Sequence, residues 1–170
     1  RLANAGYPVV LCGVTNLYLD MAYNKDPQEP GLTWGGFVNT QRVFSFAPEE
    51  VFFSTIEDPL GNPFDRASFY TEMEPLEISS RKNILGIQGQ LWSETLMYPD
   101  RLTYFYFPKL LGLAERAWAA KPEWEIQKDD ALLARDWEIF ANTIGKGQLD
   151  YMDASFEALN YRIPAPGVTK

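Results

Sequence analysis

The sequence has no histidine and one cysteine, Cys12. The first absence removes Ser-His and Cys-His nucleophilic catalysis from these residues, with every metal site that needs an imidazole. The second removes any internal disulfide. Cys12 closes the run Val9-Val10-Leu11-Cys12 and reads as a buried small hydrophobe rather than a reactive thiol. No apolar run approaches the length of a membrane span. Positive charge is scarce: 15 Lys and Arg against 23 Asp and Glu leave a net charge of −8, which argues against nucleic acid or an anionic membrane surface as partner. No glycine-rich phosphate loop, cysteine cluster or serine-nucleophile motif occurs. Asp129-Asp130 has no further oxygen ligands at calcium-loop spacing. Neither a metal nor another cofactor is expected, and Glu49-Glu50 and Asp129-Asp130 read as solvated faces.

Carboxylates, hydroxyls, amides and aromatic rings remain to carry any chemistry. The 170 residues are 46 % hydrophobic, enough for an ordinary domain with a real core. Aromatics make up 15 %, with five tryptophans, which suits either a large core or a sugar-contacting surface. The chain starts at Arg1 rather than Met, and its first ten residues lack the charged-then-apolar layout of a signal peptide, so it reads as a piece of a longer protein or a processed product.

Along the chain, RLANAG reads as a last helical turn closed by Gly6. YPVVLCGVTNLYLD reads as a strand region, with Val9 to Leu11 buried on both faces and a bend before Tyr18 at Gly13 and Asn16. From Met21 to about Arg81 no long periodic element stands out. The many aromatics there predict an ordered excursion, with a short helix starting near Pro48. Asn83 to Trp92 reads as a second strand. Asp100 is a candidate cap for a helix over Arg101–Ala120, which Pro108 kinks or restarts. A further helix is predicted over Ala131–Ile144, ended by Gly145 and Gly147, then a shorter one over Leu149–Leu159. Two buried strands, a long excursion and trailing helices fit part of an α/β layer architecture, with too few strands to close a sheet or a barrel.

Two strand ends share a pattern: Tyr18-x-Asp20 in NLYLD and Trp92-x-Glu94 in GQLWSE. On a strand, residues two apart face the same side, and the C-terminal ends of α/β strands are where ligands bind. A ring beside a carboxylate suits a sugar: the ring covers the apolar C–H face, and the carboxylate accepts hydrogen bonds from hydroxyls. The same residues also read as core aromatics with capping or ion-paired acids. Trp34, in TWGG, reads either as a staple holding the loop down or as an exposed stacking platform. Glu115-Arg116 reads as structural, with Arg116 tying its helix to the sheet.

YLDMAYNKDPQEPGLTWGGF, VFSFAP, ILGIQGQLWSE and FPKLLGLAERAW, in that order, resemble the C-terminal part of the family 20 glycoside hydrolases, the β-N-acetylhexosaminidases. DWEIFANTIGKGQLDYMD and YRIPAPG add a resemblance to the bacterial chitobiases. The resemblance implies the C-terminal portion of a (β/α)8 TIM barrel. Residues 1–120 would carry strands seven and eight, the loop between them and the last barrel helix. Residues 121–160 would be a helical extension, and 161–170 a linker to a further domain. It implies substrate-assisted, retaining hydrolysis of terminal N-acetylglucosamine from chitin oligosaccharides. Tyr18 would hold the acetamido oxygen, Asp20 and Glu94 would bind sugar hydroxyls, Trp92 would wall the pocket and Trp34 would stack on the next sugar. The family's catalytic Asp-Glu pair has no counterpart here, since no H-x-G-G-D-E-like segment occurs. The implied partners are thus an N-acetylglucosamine-containing oligosaccharide and the upstream part of the same enzyme, with the chain alone inactive. A carbohydrate-binding or scaffold protein on the same fold is the alternative. The implied location is the periplasm or outer surface of a bacterium. Lys109 stands where the family commonly has Arg, a change expected to matter little for the chemistry.

Overall fold

The computed structural model describes residues 1–58, 60–149 and 151–152. The chain enters through a helical turn in which Ala5 N–H bonds Arg1 O and Gly6 N–H bonds Ala3 O; Gly6 closes it with φ +90°. β1, Val9–Leu11, then pairs in parallel with β2, Ile84–Ile87, with an irregularity between Val9 and Val10. These are the only sheet strands among the described residues. The expectation of burial on both faces is not met within this chain, where Val10 and Leu85 are exposed. Cys12, just past the strand end, is exposed as well and is not the buried hydrophobe its apolar run suggested.

The bend before Tyr18 is one helical turn, α1, Val14–Leu17. It is held by the buried Asn16, whose amide donates to Arg42 O at 2.9 Å. The chain then rejoins the ladder. Leu19 N–H donates to Gln90 O (2.6 Å), Gln90 N–H donates to Leu17 O (2.8 Å), and Tyr18 bridges Gln90 in parallel. β2 itself is shorter than predicted: Asn83 ends a 3-10 turn over Ile78–Asn83, and beyond Ile87 the chain is extended but pairs only locally.

The excursion between the strands is ordered and contains three short helices: α2, Thr40–Phe44; α3, Val51–Ser54; and α4, Arg66–Glu72. Each is too short to show a hydrophobic period; only α3 was expected, as the short helix near Pro48, and α2 and α4 were not legible. Asn39 caps α2 by accepting from Arg42 N–H. Glu49 and Glu50 are not a free acidic face. Glu49 pairs with Arg81 and Lys121, and Glu50 pairs with Lys128, which ties the excursion to later elements.

Pro108 restarts the predicted long helix rather than kinking it. α5 spans Pro99–Tyr106 and α6 spans Lys109–Trp118. Asp100 lies inside the first turn of α5 and does not cap it; Tyr98 holds the cap position. Arg116 ties α6 to helical neighbours, not to the sheet: its guanidinium lies 5.1 Å from the ring centre of Trp124 and 5.8 Å from that of Phe44. Trp124 belongs to α7, Glu123–Gln127. Asp129 caps α8, Asp130–Thr143, by accepting from the Ala131 and Leu132 N–H groups, and Asp130 pairs with Arg66. Asp130 stays exposed, as the solvated-face reading expected, and each of the two acids has a partner besides. Gly145 and Gly147 do not stop α8 either; the helix widens into a π-helical turn over Ile144–Gln148 and continues through Leu149. Tyr151 and Met152 are helical too, while the rest of the predicted 149–159 helix and the 161–170 linker lie outside the described residues.

Two apolar clusters organise these elements. Leu17, Leu19, Met21, Val38, Val43 and Phe46 form one, with Leu11, Ile87, Leu91 and Leu113 against it. Ala47, Phe53 and Trp124 form the other, under Leu132 and Leu133. The first cluster sits beneath the segment 17–21, so packing fixes the backbone that carries Tyr18 and Asp20. No helix among the described residues is long and apolar enough to cross a membrane.

Candidate active site

The site begins where the strand pair ends. Tyr18 makes its bridge to Gln90, and the chain turns at Asp20. The segment 20–22 is then clamped by the loop that follows: Leu32 N–H donates to Asp20 O, Ala22 N–H to Leu32 O, and Val38 N–H to Ala22 O. That clamp presents Trp34 beside Tyr18. Both glycines of TWGG serve it. A Cβ on Gly35 would lie 2.7 Å from the Val14 side chain, and Gly36 adopts φ +92° to close the turn onto Thr33 O.

Three rings meet here. Tyr18 and Trp34 pack edge to face with centroids 5.9 Å apart, and Tyr18 and Trp92 pack at a tilt with centroids 6.2 Å apart. Trp34 is 58 % exposed and Trp92 47 %, so within this chain neither is a core aromatic or a buried staple. Tyr18 is half-buried between them.

The carboxylates divide by depth. Glu94 is exposed, whereas Asp20 is 1 % exposed, and neither of its carboxylate oxygens finds a hydrogen-bond donor of good geometry among the described residues. Burial pushes the Asp20 carboxyl above its ordinary value. The backbone N–H groups of Asp20 and Trp92 oppose that shift, the charge of Glu94 adds to it, and the charge of Lys109 opposes it. Strand alternation does not hold at either ending. Neither Tyr18-x-Asp20 nor Trp92-x-Glu94 lies within a strand; Tyr18 and Asp20 differ in depth, whereas Trp92 and Glu94 are both exposed. The aromatic members meet across the two strand ends, while one acid is buried and the other exposed.

Lys109 is what the sequence reading underrated. Its ammonium is fully buried, donates to Leu19 O at 2.8 Å and Met21 O at 2.7 Å, and lies 3.8 Å from the centre of the Tyr23 ring. Burial pulls it down to about 7 against the opposing charges of Glu29 and Asp20. The available signal was a lysine on the inward face of an amphipathic helix: Lys109, Gly112 and Arg116 are all buried. Tyr23 donates to Tyr104 O and Phe107 O, and Tyr104 donates to Glu29, which extends the buried polar group toward α5. No cluster of His, Cys, Asp and Glu among the described residues forms a metal cage.

Residues 1–121 match the model of the glycosyl hydrolase family 20 catalytic domain. The chain belongs to that family. An N,N'-diacetylchitobiase of Vibrio harveyi is 33 % identical over 95 % of this chain and 19 % of its own length. A β-hexosaminidase of Vibrio vulnificus is 29 % identical over 97 % of this chain and 21 % of its own. Among solved structures, a mutant β-hexosaminidase of Streptomyces plicatus in complex with its product, GlcNAc, superposes with a TM-score of 0.62 at 27 % identity, covering 98 % of this chain and 26 % of that one. A family 20 exo-β-N-acetylglucosaminidase of V. harveyi in complex with N-acetylglucosamine superposes at 0.58 with 28 % identity, covering 95 % and 20 %. The chain thus spans about a fifth of the length of these Vibrio relatives. The family 20 neighbours imply a TIM-barrel catalytic domain. This chain is mixed α/β, with two parallel strands among its described residues.

A buried carboxylate without a donor of good geometry has a measurable cost. The raised Asp20 value means that the folded state holds the proton more tightly than the unfolded chain, so stability falls as pH rises from the ordinary aspartate value through the raised one, and the full penalty applies at neutrality. Replacing Asp20 by Asn should raise the melting temperature at pH 7 and give no such gain at about pH 3, where both states are protonated. Thermal unfolding at the two pH values checks this; an equal gain at both would show that the charge is not the cause.

Proposed function

We propose that this chain supplies part of the sugar pocket of a retaining β-N-acetylhexosaminidase of chitobiase type, which hydrolyses terminal N-acetylglucosamine from chitin oligosaccharides. The observation that carries the reading is the meeting of the Tyr18, Trp34 and Trp92 rings over the end of a parallel strand pair, beside a buried carboxylate without a donor of good geometry. Such a place offers apolar surface for a pyranose and empty acceptors for its hydroxyls. The family membership and the GlcNAc bound to two of the neighbours support the same reading.

In this mechanism the substrate's 2-acetamido oxygen attacks the anomeric carbon, the glycosidic C–O bond breaks, and the leaving oxygen takes a proton from a glutamic acid. Water then opens the oxazolinium at the same carbon and returns a proton to that glutamate, so configuration is retained. The glutamate and the aspartate that orients the acetamido N–H belong, on this reading, to an upstream part of the same barrel. Tyr18 donates its hydroxyl to the acetamido oxygen and holds it for attack. Asp20 and Glu94 accept from hydroxyls of the terminal sugar. Trp92 walls the acetamido pocket, and Trp34 stacks on the following sugar. The enzyme would act in the periplasm or on the outer surface of a bacterium, where chitin fragments arrive.

Two assays with a chromogenic N-acetylglucosaminide test this. The 170-residue chain alone should give no turnover, because the proton donor is elsewhere; turnover near that of the full-length enzyme would contradict it. In the full-length enzyme, Tyr18→Phe should lower kcat by roughly a hundredfold, as for loss of one transition-state donor, with little change in KM. A change confined to KM would reduce Tyr18 to a ground-state contact.

A further inference from the structure

At its N-terminus α6 serves the three-ring site through Lys109. About 10 Å farther along the helix axis, Arg116 lines a separate cavity between α6, α7 and α8. The cavity has a volume of about 350 Å³ and shares no lining residue with the three-ring site. Two donors in its wall have no acceptor. Arg116 is 7 % exposed and Trp124 is wholly buried, yet neither the Arg116 Nε–H nor the Trp124 Nε1–H has a hydrogen-bond partner among the described residues. The two are neighbours, since the guanidinium carbon lies 5.1 Å from the centre of the Trp124 ring. Buried donors left unpaired cost stability, so the pair marks a place for an acceptor from outside the chain. Trp124 and the α8 wall lie past residue 121, beyond the matched family domain.

The rest of the lining narrows the ligand. Phe44 and Phe140, stacked with centroids 4.7 Å apart, form an apolar wall with Ile139. Glu115 and Asp136 bring carboxylates to the same cavity, and with Glu125 they are the acids that act on Arg116. Three acids around one guanidinium leave no surplus positive charge to hold an anion. What fits is neutral: a carbonyl oxygen to take the two donors, an N–H to give to a carboxylate, and an apolar face for the rings. An acetamido group on a sugar ring carries all three. We propose that this cavity is a second, non-catalytic binding site for an N-acetylated sugar. The acetamido oxygen accepts from Arg116 Nε and Trp124 Nε1, and the acetamido N–H donates to Glu115 or Asp136. The volume lies just above the lower end for small-molecule sites, about 300 Å³, and so suits a single sugar residue.

Equilibrium dialysis of the full-length protein against labelled N-acetylglucosamine tests this. Trp124→Phe keeps an aromatic ring and deletes the N–H. It should weaken one class of binding about tenfold, and Trp92→Ala should leave that class unchanged. Because Trp124 is a core residue, a second variant works from the accessible side: Glu115→Gln with Asp136→Asn removes both carboxylates and should weaken the same class severalfold. Binding that neither variant weakens overturns the proposal, as does binding lost wholly with Trp92→Ala. Glucose, which lacks the acetamido group, and acetate, which carries a charge, should not displace the label from this class. Displacement by either overturns the assignment of the ligand. A three-ring site that binds no sugar would remove only the class sensitive to Trp92→Ala. That result would count against the hexosaminidase reading and leave this one standing.

Discussion

The candidate site depends on one contact, the buried Lys109 ammonium held between the carbonyls of Leu19 and Met21. It joins the start of α6 to the turn that follows the first strand, so the helix and the sheet end cannot move independently. The side chains of Leu17, Leu19 and Met21 fill the main apolar cluster below. Packing thus sets the depth of the segment, and Lys109 sets the direction of its carbonyls. Tyr18 is left half-buried at the rim, and Asp20 is turned inward.

That arrangement carries a cost in the right place. Asp20 is buried without a hydrogen-bond donor of good geometry, and Glu94 adds like charge to the same locality. A fold selected only for stability would replace such a carboxylate by a neutral or apolar group. Unsatisfied acceptors beside exposed aromatic rings are what a binding site looks like before its ligand supplies the donors. The same physics separates the two acids. Glu94 faces water and costs little, whereas Asp20 is where the fold gives up stability.

Much of this was legible in the sequence, for identifiable reasons. Apolar runs marked β1 and β2, and the helical spacing of Leu110, Leu113, Ala114 and Ala117 marked α6. The repeated aromatic-x-acid ending drew attention to Tyr18, Asp20, Trp92 and Glu94 together. The geometry behind that attention was wrong in detail, because both endings leave the strand and the acids sit at different depths. The short helices α2 and α4 could not show a period, and α3 was legible only through Pro48 and the acids after it. Cys12 and Val10 looked buried because an apolar run carries no record of what packs over each face. Lys109, the Asp129 cap and the ion pairs of Glu49 and Glu50 depend on partners distant in sequence, and no local pattern announces them.

The account stands or falls on whether a sugar occupies the space bounded by the three rings. A crystal structure of the full-length enzyme with N-acetylglucosamine measures this directly. The account predicts the pyranose against Trp92, the acetamido oxygen within hydrogen-bond reach of the Tyr18 hydroxyl, and ring hydroxyls donating to Asp20 and Glu94. A sugar bound elsewhere, with Asp20 still buried and without a donor, would contradict it.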